Sequence, residues 1–405
     1  MSKINTKNGL CKVLYISLFS YAGYVSSDDE LFTPTARASI SYDDNVFLLS
    51  DDELVNNPID NQTDPKDTIT ELGVGFRSDT SPQSQRFLIE GDVYKRDYSN
   101  FDQLNFTGGN LRARWDWYLS KKWDGEINYL YTKAQSNLSD QRLPNGDVFD
   151  SNKLSIKAIR HFSNNQQLYL ATILNEKEYE QRTSLDNEQE NFTLGYKYTT
   201  SMNDTVALEV TSSSGENMNE VNRLITNDFT LNPDINNYEQ DAVNLITRWN
   251  IGANDKLTTS IGYVSREHNQ TLTEFEFDGI VYDLRYDWKV GYRTEINWRL
   301  GKQLSNTENT QILFAEADTA QVNAKWDASE KIQLSVNVRY RDLKFTQIEE
   351  DRDDQIFSFG FNSRYRFNSR VNIDLSLSTQ SRDSSEPSNE FNSTIAMISI
   401  NFNAK

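Results

Sequence analysis

A series of basic side chains falls where extended segments would carry charge on one face only. They are Arg112, Arg114, Lys153, Lys157, Lys197, Arg248, Arg293, Arg299, Lys325, Arg339, Arg341, Arg364 and Arg366. Carboxylates share those faces at Glu71, Glu90, Asp92, Asp116, Glu126, Glu209, Glu295 and Asp374. Two chemistries fit such a wall. Cross-strand ion pairs would stiffen it, whereas rings of Arg or Lys would draw anions along it. Tyr94, Tyr118 and Tyr169 have the same parity, and a flat ring with a polar tip suits stacking on a sugar.

Bond-making chemistry finds little support. The two histidines, His161 and His268, have no nucleophile at a defined spacing. Carboxylate pairs for glycosidic cleavage could be assembled from so many acids that none is diagnostic. Asp43-Asp44, Asp51–Glu53 and the run Glu349–Asp354 lack the spacing of a calcium loop. The one cysteine, Cys11, precedes a short apolar run and would be lost with it, leaving no thiolate for catalysis or metal binding. No phosphate-binding loop appears, and a net charge of −19 speaks against nucleic acid as a partner. The expectation is a protein that is not an enzyme and holds no cofactor or metal.

Charge confined to one face requires strands. In Trp288–Leu300 the alternation puts Trp288, Val290, Tyr292, Ile296, Trp298 and Leu300 on one side, and Lys289, Arg293, Glu295, Asn297 and Arg299 on the other, which predicts a single strand. The pattern recurs along 405 residues. A pI near 4.6 and a mean hydropathy of −0.70 exclude apolar helical spans. They fit a transmembrane β-barrel, in which only every second strand residue is apolar. Tyr 20, Phe 21 and Trp 7 against Pro 7 agree with strands and with interfacial belts, and Trp115, Trp117, Trp288 and Trp298 have the parity of such a belt.

Short polar turns are predicted at Thr80–Gln85, Ser120–Lys122, Ser163–Gln166, Ser201–Asp204, Gly252–Asp255, Gly301–Gln303, Ala328–Lys331 and Asn368–Arg370. Longer, acidic connections are predicted at Asn45–Lys66, Asn137–Ser151, Ser214–Asn236 and His268–Tyr282. With a first strand at Ala36–Tyr42 and a last at Thr394–Phe402, the turns imply an all-β, antiparallel up-and-down barrel of about 18 strands. Sixteen is the fallback, because Leu304–Gln311 has a poor strand pattern. A soluble sandwich or propeller also alternates. The turn and loop asymmetry favours the barrel, as does a start that reads as an export signal: Lys3, Lys7 and Lys12 before an apolar run from Val13 to Ala22. The expected organisation is a cleaved signal over 1–25, a periplasmic segment over 26–35 and a barrel over 36–405, in the outer membrane of a Gram-negative cell.

Ser39-Ile-Ser-Tyr-Asp-Asp-Asn-Val-Phe-Leu-Leu-Ser-Asp-Asp52 resembles the opening of outer-membrane β-barrel proteins encoded with exopolysaccharide biosynthesis genes, the EpsL-type family. The likeness continues through Ser84–Leu88, Asp97-Tyr98, Phe101, Leu104–Phe106 and Leu111–Trp117, roughly the first third of the chain after the signal. The resemblance implies export of an exopolysaccharide chain across the outer membrane. It also implies periplasmic or inner-membrane polysaccharide synthesis and transport proteins as partners, with lipopolysaccharide and lipid around the barrel. An anionic polymer would follow the basic track. The rival expectations are a general or solute-specific diffusion porin, and a lipid-modifying or surface-binding barrel.

Overall fold

The computed structural model describes residues 32–50, 64–82, 84–136, 146–218, 237–252, 254–268, 276–306, 312–347 and 351–404. The predicted signal, Cys11 and the acidic runs Asp51–Glu53 and Glu349-Glu350 lie outside them. The strands are β1 (Thr33–Asp43), β2 (Asp67–Thr80), β3 (Arg86–Tyr98), β4 (Phe106–Ser120), β5 (Trp123–Gln135), β6 (Val148–His161), β7 (Gln166–Tyr179), β8 (Asn187–Thr199) and β9 (Thr205–Asn217). They continue as β10 (Tyr238–Asn250), β11 (Asp255–His268), β12 (Phe277–Val290), β13 (Thr294–Ser305), β14 (Ile312–Asp327), β15 (Ile332–Gln347), β16 (Arg352–Arg366), β17 (Val371–Ser384) and β18 (Phe391–Asn403). Each pairs antiparallel with its sequence neighbours, and β18 returns to β1 with Thr35 opposite Asn403 and Asp43 opposite Ile395. The result is one closed, 18-stranded up-and-down barrel. Closure leaves no sheet edge, so every strand's backbone can be paired inside hydrocarbon.

Residues opposite each other in an antiparallel ladder point to the same side of the sheet. One strand's parity therefore fixes all the others. From Ile40 the outer face passes to Thr70 on β2 and to Ile398 on β18. Around the wall the same face carries Leu72, Leu170, Leu194, Leu245, Ile261 and Leu300, all large, apolar and exposed. Such a surface is stable against lipid and not against water. All seven tryptophans share that parity and sit in the halves of their strands nearest the short connections: Trp115, Trp117, Trp123, Trp249, Trp288, Trp298 and Trp326. Indole rings prefer the headgroup level, so the belt marks one membrane interface.

The eight short connections share a rim with the outer ends of β1 and β18, and the long connections occupy the other. Short turns are periplasmic and long loops extracellular in barrels of this kind. One turn is misplaced by the sequence. Trp288–Leu300 is a hairpin and not a strand: β12 ends at Val290, Gly291 turns at φ +70°, and β13 begins at Thr294. Val290 pairs with Thr294, and a connection of three residues returns the chain with its odd–even parity unchanged, so alternation could not reveal it. Gly301–Gln303 is accordingly within β13; of the predicted strand Leu304–Gln311, Leu304 and Ser305 end β13 and 307–311 lie outside the described residues.

Strand ends also reach further than alternation suggested. The barrel begins at Thr33 and not at 36, β9 runs to Asn217, β6 starts at Val148 and β12 at Phe277. These extensions project past the hydrocarbon, where neither face must be apolar and the period-two signal fades.

Candidate functional site

The lumen face is the complement of the lipid face, and it divides into three regions. The wall of β1 to β5 is held by shared carboxylates. Glu71 pairs with Arg37 at 2.5 Å and Arg96 at 2.6 Å. Glu90 pairs with Arg77 at 3.0 Å and Arg112 at 3.6 Å, while Arg114 bridges Asp116 at 2.7 Å and Glu126 at 2.9 Å. The exposed pairs contribute little each, whereas Glu71 is buried; together they neutralise the wall. Arg299 pairs with Asp283 at 2.5 Å, and Arg364 with the buried Asp374 at 2.7 Å.

A second set is basic and without counterions. Lys153 and Lys157 on β6, Lys197 on β8, Arg248 on β10, Lys325 on β14 and Arg339 on β15 have lumen parity. None has a carboxylate in ion-pair range among the described residues. Lys197, Arg248 and Lys325 each lie two residues from the short-turn end of their strands. The periplasmic mouth therefore presents a positive arc to solution. Arg341 has lumen parity beside Arg339. Arg293 lies in the β12–β13 turn against the Tyr292 ring, 5.4 Å from its centroid. Arg366 ends β16 and donates to the Glu330 carbonyl, so both belong to the rim more than to the bore.

The extracellular third is closely packed. Val46, Phe47 and Leu49, just after β1, are buried against Tyr98, Phe101 and Leu104. The head of β14 projects beyond the end of β13, with a register break between Ile312 and Phe314. Leu313 and Phe314 pack there on Ala242, Val264 and Phe277 from the lumen faces of β10 to β12. Phe314 stacks on His268 at 5.7 Å. On the other flank Asp354, wholly buried, binds Arg352 at 3.3 Å and Arg382 at 2.8 Å. Removing the carboxylate that both guanidinium groups share breaks a buried ion pair on each side, which typically costs about 3–5 kcal/mol. Asp354→Asn is thus expected to lower the urea midpoint of the detergent-solubilised barrel sharply, while Asp92→Asn on the exposed wall leaves it nearly unchanged.

The three tyrosines are placed as follows. Tyr169 lies flat on Gly195 of β8, where an added Cβ would come 2.2 Å from the ring. Its hydroxyl donates to Glu209, and Lys157 Nζ sits 4.2 Å from the ring centroid. Tyr94 covers Gly108 in the same way, between the guanidinium groups of Arg37 and Arg96. Tyr118 is exposed at the periplasmic rim opposite Asp124. His161 is hydrogen-bonded to Asp124 and Gln167 in the wall. Arg266, unmarked by the sequence reading, emerges as the most deeply buried lumen cation of β10 to β12. Its signal was available, since Ile261 and Tyr263 mark the lipid face of β11 and leave 264 and 266 for the lumen.

The chain is similar in part to a known family. The family described as "Putative beta-barrel porin 2" matches residues 223–404. No curated protein matches the sequence. Among solved structures, OccAB3 of Acinetobacter baumannii superposes with a TM-score of 0.50 at 9% identity, covering 92% of this chain and 99% of that one. OpdK of Pseudomonas aeruginosa, solved with vanillate, gives 0.50 at 10% identity over 92% and 98%. OccK2 (OpdF) of the same organism, solved with glucuronate, gives 0.50 at 11% identity over 92% and 98%. The fold is that of outer-membrane porins.

Proposed function

We propose that this protein is an outer-membrane diffusion channel for small polar solutes, with a preference for anions. The observation that carries the reading is the set of lumen lysines and arginines without a carboxylate in range among the described residues, beside a β1–β5 wall whose arginines are paired. Cations along a pore wall lower the energy of an entering anion and raise that of a cation. Vanillate and glucuronate, the molecules bound in two barrels of this fold, are carboxylates, and small carboxylates are the solutes we propose here. The close packing of the extracellular third favours small solutes over a polymer.

Purified protein in a planar bilayer under a KCl gradient tests this. The reversal potential is expected on the chloride side; a potassium-selective pore would overturn the reading.

Export of an exopolysaccharide is the second reading, and the segment Ser39–Asp52 is the observation that favours it. It requires synthesis and transport proteins on the periplasmic side. Deleting the gene would abolish surface polysaccharide under this reading and leave it unchanged under the first.

A further inference from the structure

Arg266 sits on the lumen face of β11 with 4% of its surface exposed. Its Nε donates to Gln240 Oε1 at 2.9 Å and its Nη1 to Asn306 Oδ1 at 2.9 Å. The guanidinium carbon lies 4.1 Å from the centroid of the Tyr238 ring, whose hydroxyl accepts from Asn306 Nδ2 at 3.1 Å. Every one of these partners is neutral. Arg182, Arg352 and Arg382, similarly enclosed, each have a carboxylate: Asp147 at 2.8 Å for the first and Asp354 for the other two.

A buried cation without a counterion is costly even after relaxation. A desolvated cation–π contact returns only part of that cost. Two neutral acceptors use two of the five N–H groups of a guanidinium, so three remain. The lumen positions that flank Arg266 are Val264, His268 and Phe277, none of them an acid. Asn306 is exposed, so the cluster reaches solvent along its edge. A ligand carboxylate would supply the missing charge and accept in the bidentate manner that the fork favours.

We propose that Arg266, with Asn306 beside it, forms a subsite for the carboxylate of a small organic acid, whose apolar body packs on Val264, Phe277 and Phe314. This rests on the channel reading above and names a position within it where a permeating acid pauses.

The test uses the full-length protein in a planar bilayer carrying chloride current, with benzoate as the probe and benzamide as its uncharged counterpart. Benzoate is expected to reduce the current and benzamide to leave it unaltered. Arg266→Gln should raise the half-blocking benzoate concentration at least tenfold, with Arg266→Lys in between because an ammonium lacks the fork. Heat-modifiable migration on gels confirms that each barrel has closed. Should the glutamine variant fail to close, Asn306→Ala, which keeps the charge, is expected to weaken the block severalfold. Wild-type indifference to benzoate, or unaltered block in the closed variants, overturns the subsite while an anion-selective current still stands. A potassium-selective pore overturns the channel reading itself.

Discussion

Changing Lys157, Lys197 and Arg248 together to glutamine is expected to reduce the chloride-to-potassium permeability ratio about tenfold. At 7 Å in water a unit charge acts on an ion with about 0.6 kcal/mol, close to RT, and with opposite sign for the two ions. Three such charges would act more strongly than that without screening, and a Debye length of about 10 Å at 0.1 M salt trims their sum to roughly the stated factor. The shift should be largest at low ionic strength and fade above about 1 M, where the Debye length is near 3 Å. The comparison is the triple change Arg112→Gln, Arg114→Gln and Arg299→Gln. Those side chains already face Glu90, Asp116, Glu126 and Asp283, so their removal uncovers carboxylates and should push the pore toward cations. Equal effects from the two triples would mean that the paired and unpaired walls are not electrically distinct.

A second large effect separates the two faces of one strand. Ile261, at the middle of β11, lies between Leu245 and Tyr282 on the outer surface. Its neighbour Ser260 lies between Ile246 and Asp283 on the inner one. An arginine on the lipid face at the bilayer midplane costs about 2–4 kcal/mol, whereas a lumen position leaves it in water. Ile261→Arg should therefore lower the unfolding free energy in phospholipid vesicles by that amount, with Ser260→Arg within about 0.5 kcal/mol of the parent, the range of ordinary surface changes. A reversed order would mean that the faces have been assigned the wrong way round.

The sequence carried the strand number for a physical reason. Lipid punishes a polar residue wherever it is exposed to hydrocarbon, so Leu245, Ile261 and Leu300 had to alternate with their neighbours. It did not carry the β12–β13 turn, because three residues restore the parity and Gly291 was the only mark of a reversal. Nor did it carry which bases are paired. Arg114 and Lys157 look alike across the sheet, and only the register of β4 on β5 and of β6 on β7 gives the first Glu126 and the second Tyr169. The faces of Tyr94 and Tyr169 were equally hidden, since a glycine on the adjoining strand decides whether a ring can lie flat. Arg266 had a legible parity, but its burial comes with contacts to Tyr238, Gln240 and Asn306, distant in sequence, that no local pattern encodes.

The seam between β1 and β18 has a topological consequence. The amide of Ala404 donates to the carbonyl of Pro34 at 3.1 Å, so the two ends of the barrel chain meet on the same side of the membrane as the eight hairpin bends. A ring of alternating strands has no intrinsic beginning. A linker of a few residues fusing those ends, with a new opening at Ser201–Asp204, would yield a circular permutant with the same neighbours around the cylinder. The order in which strands enter the bilayer would change, while the finished tube would not.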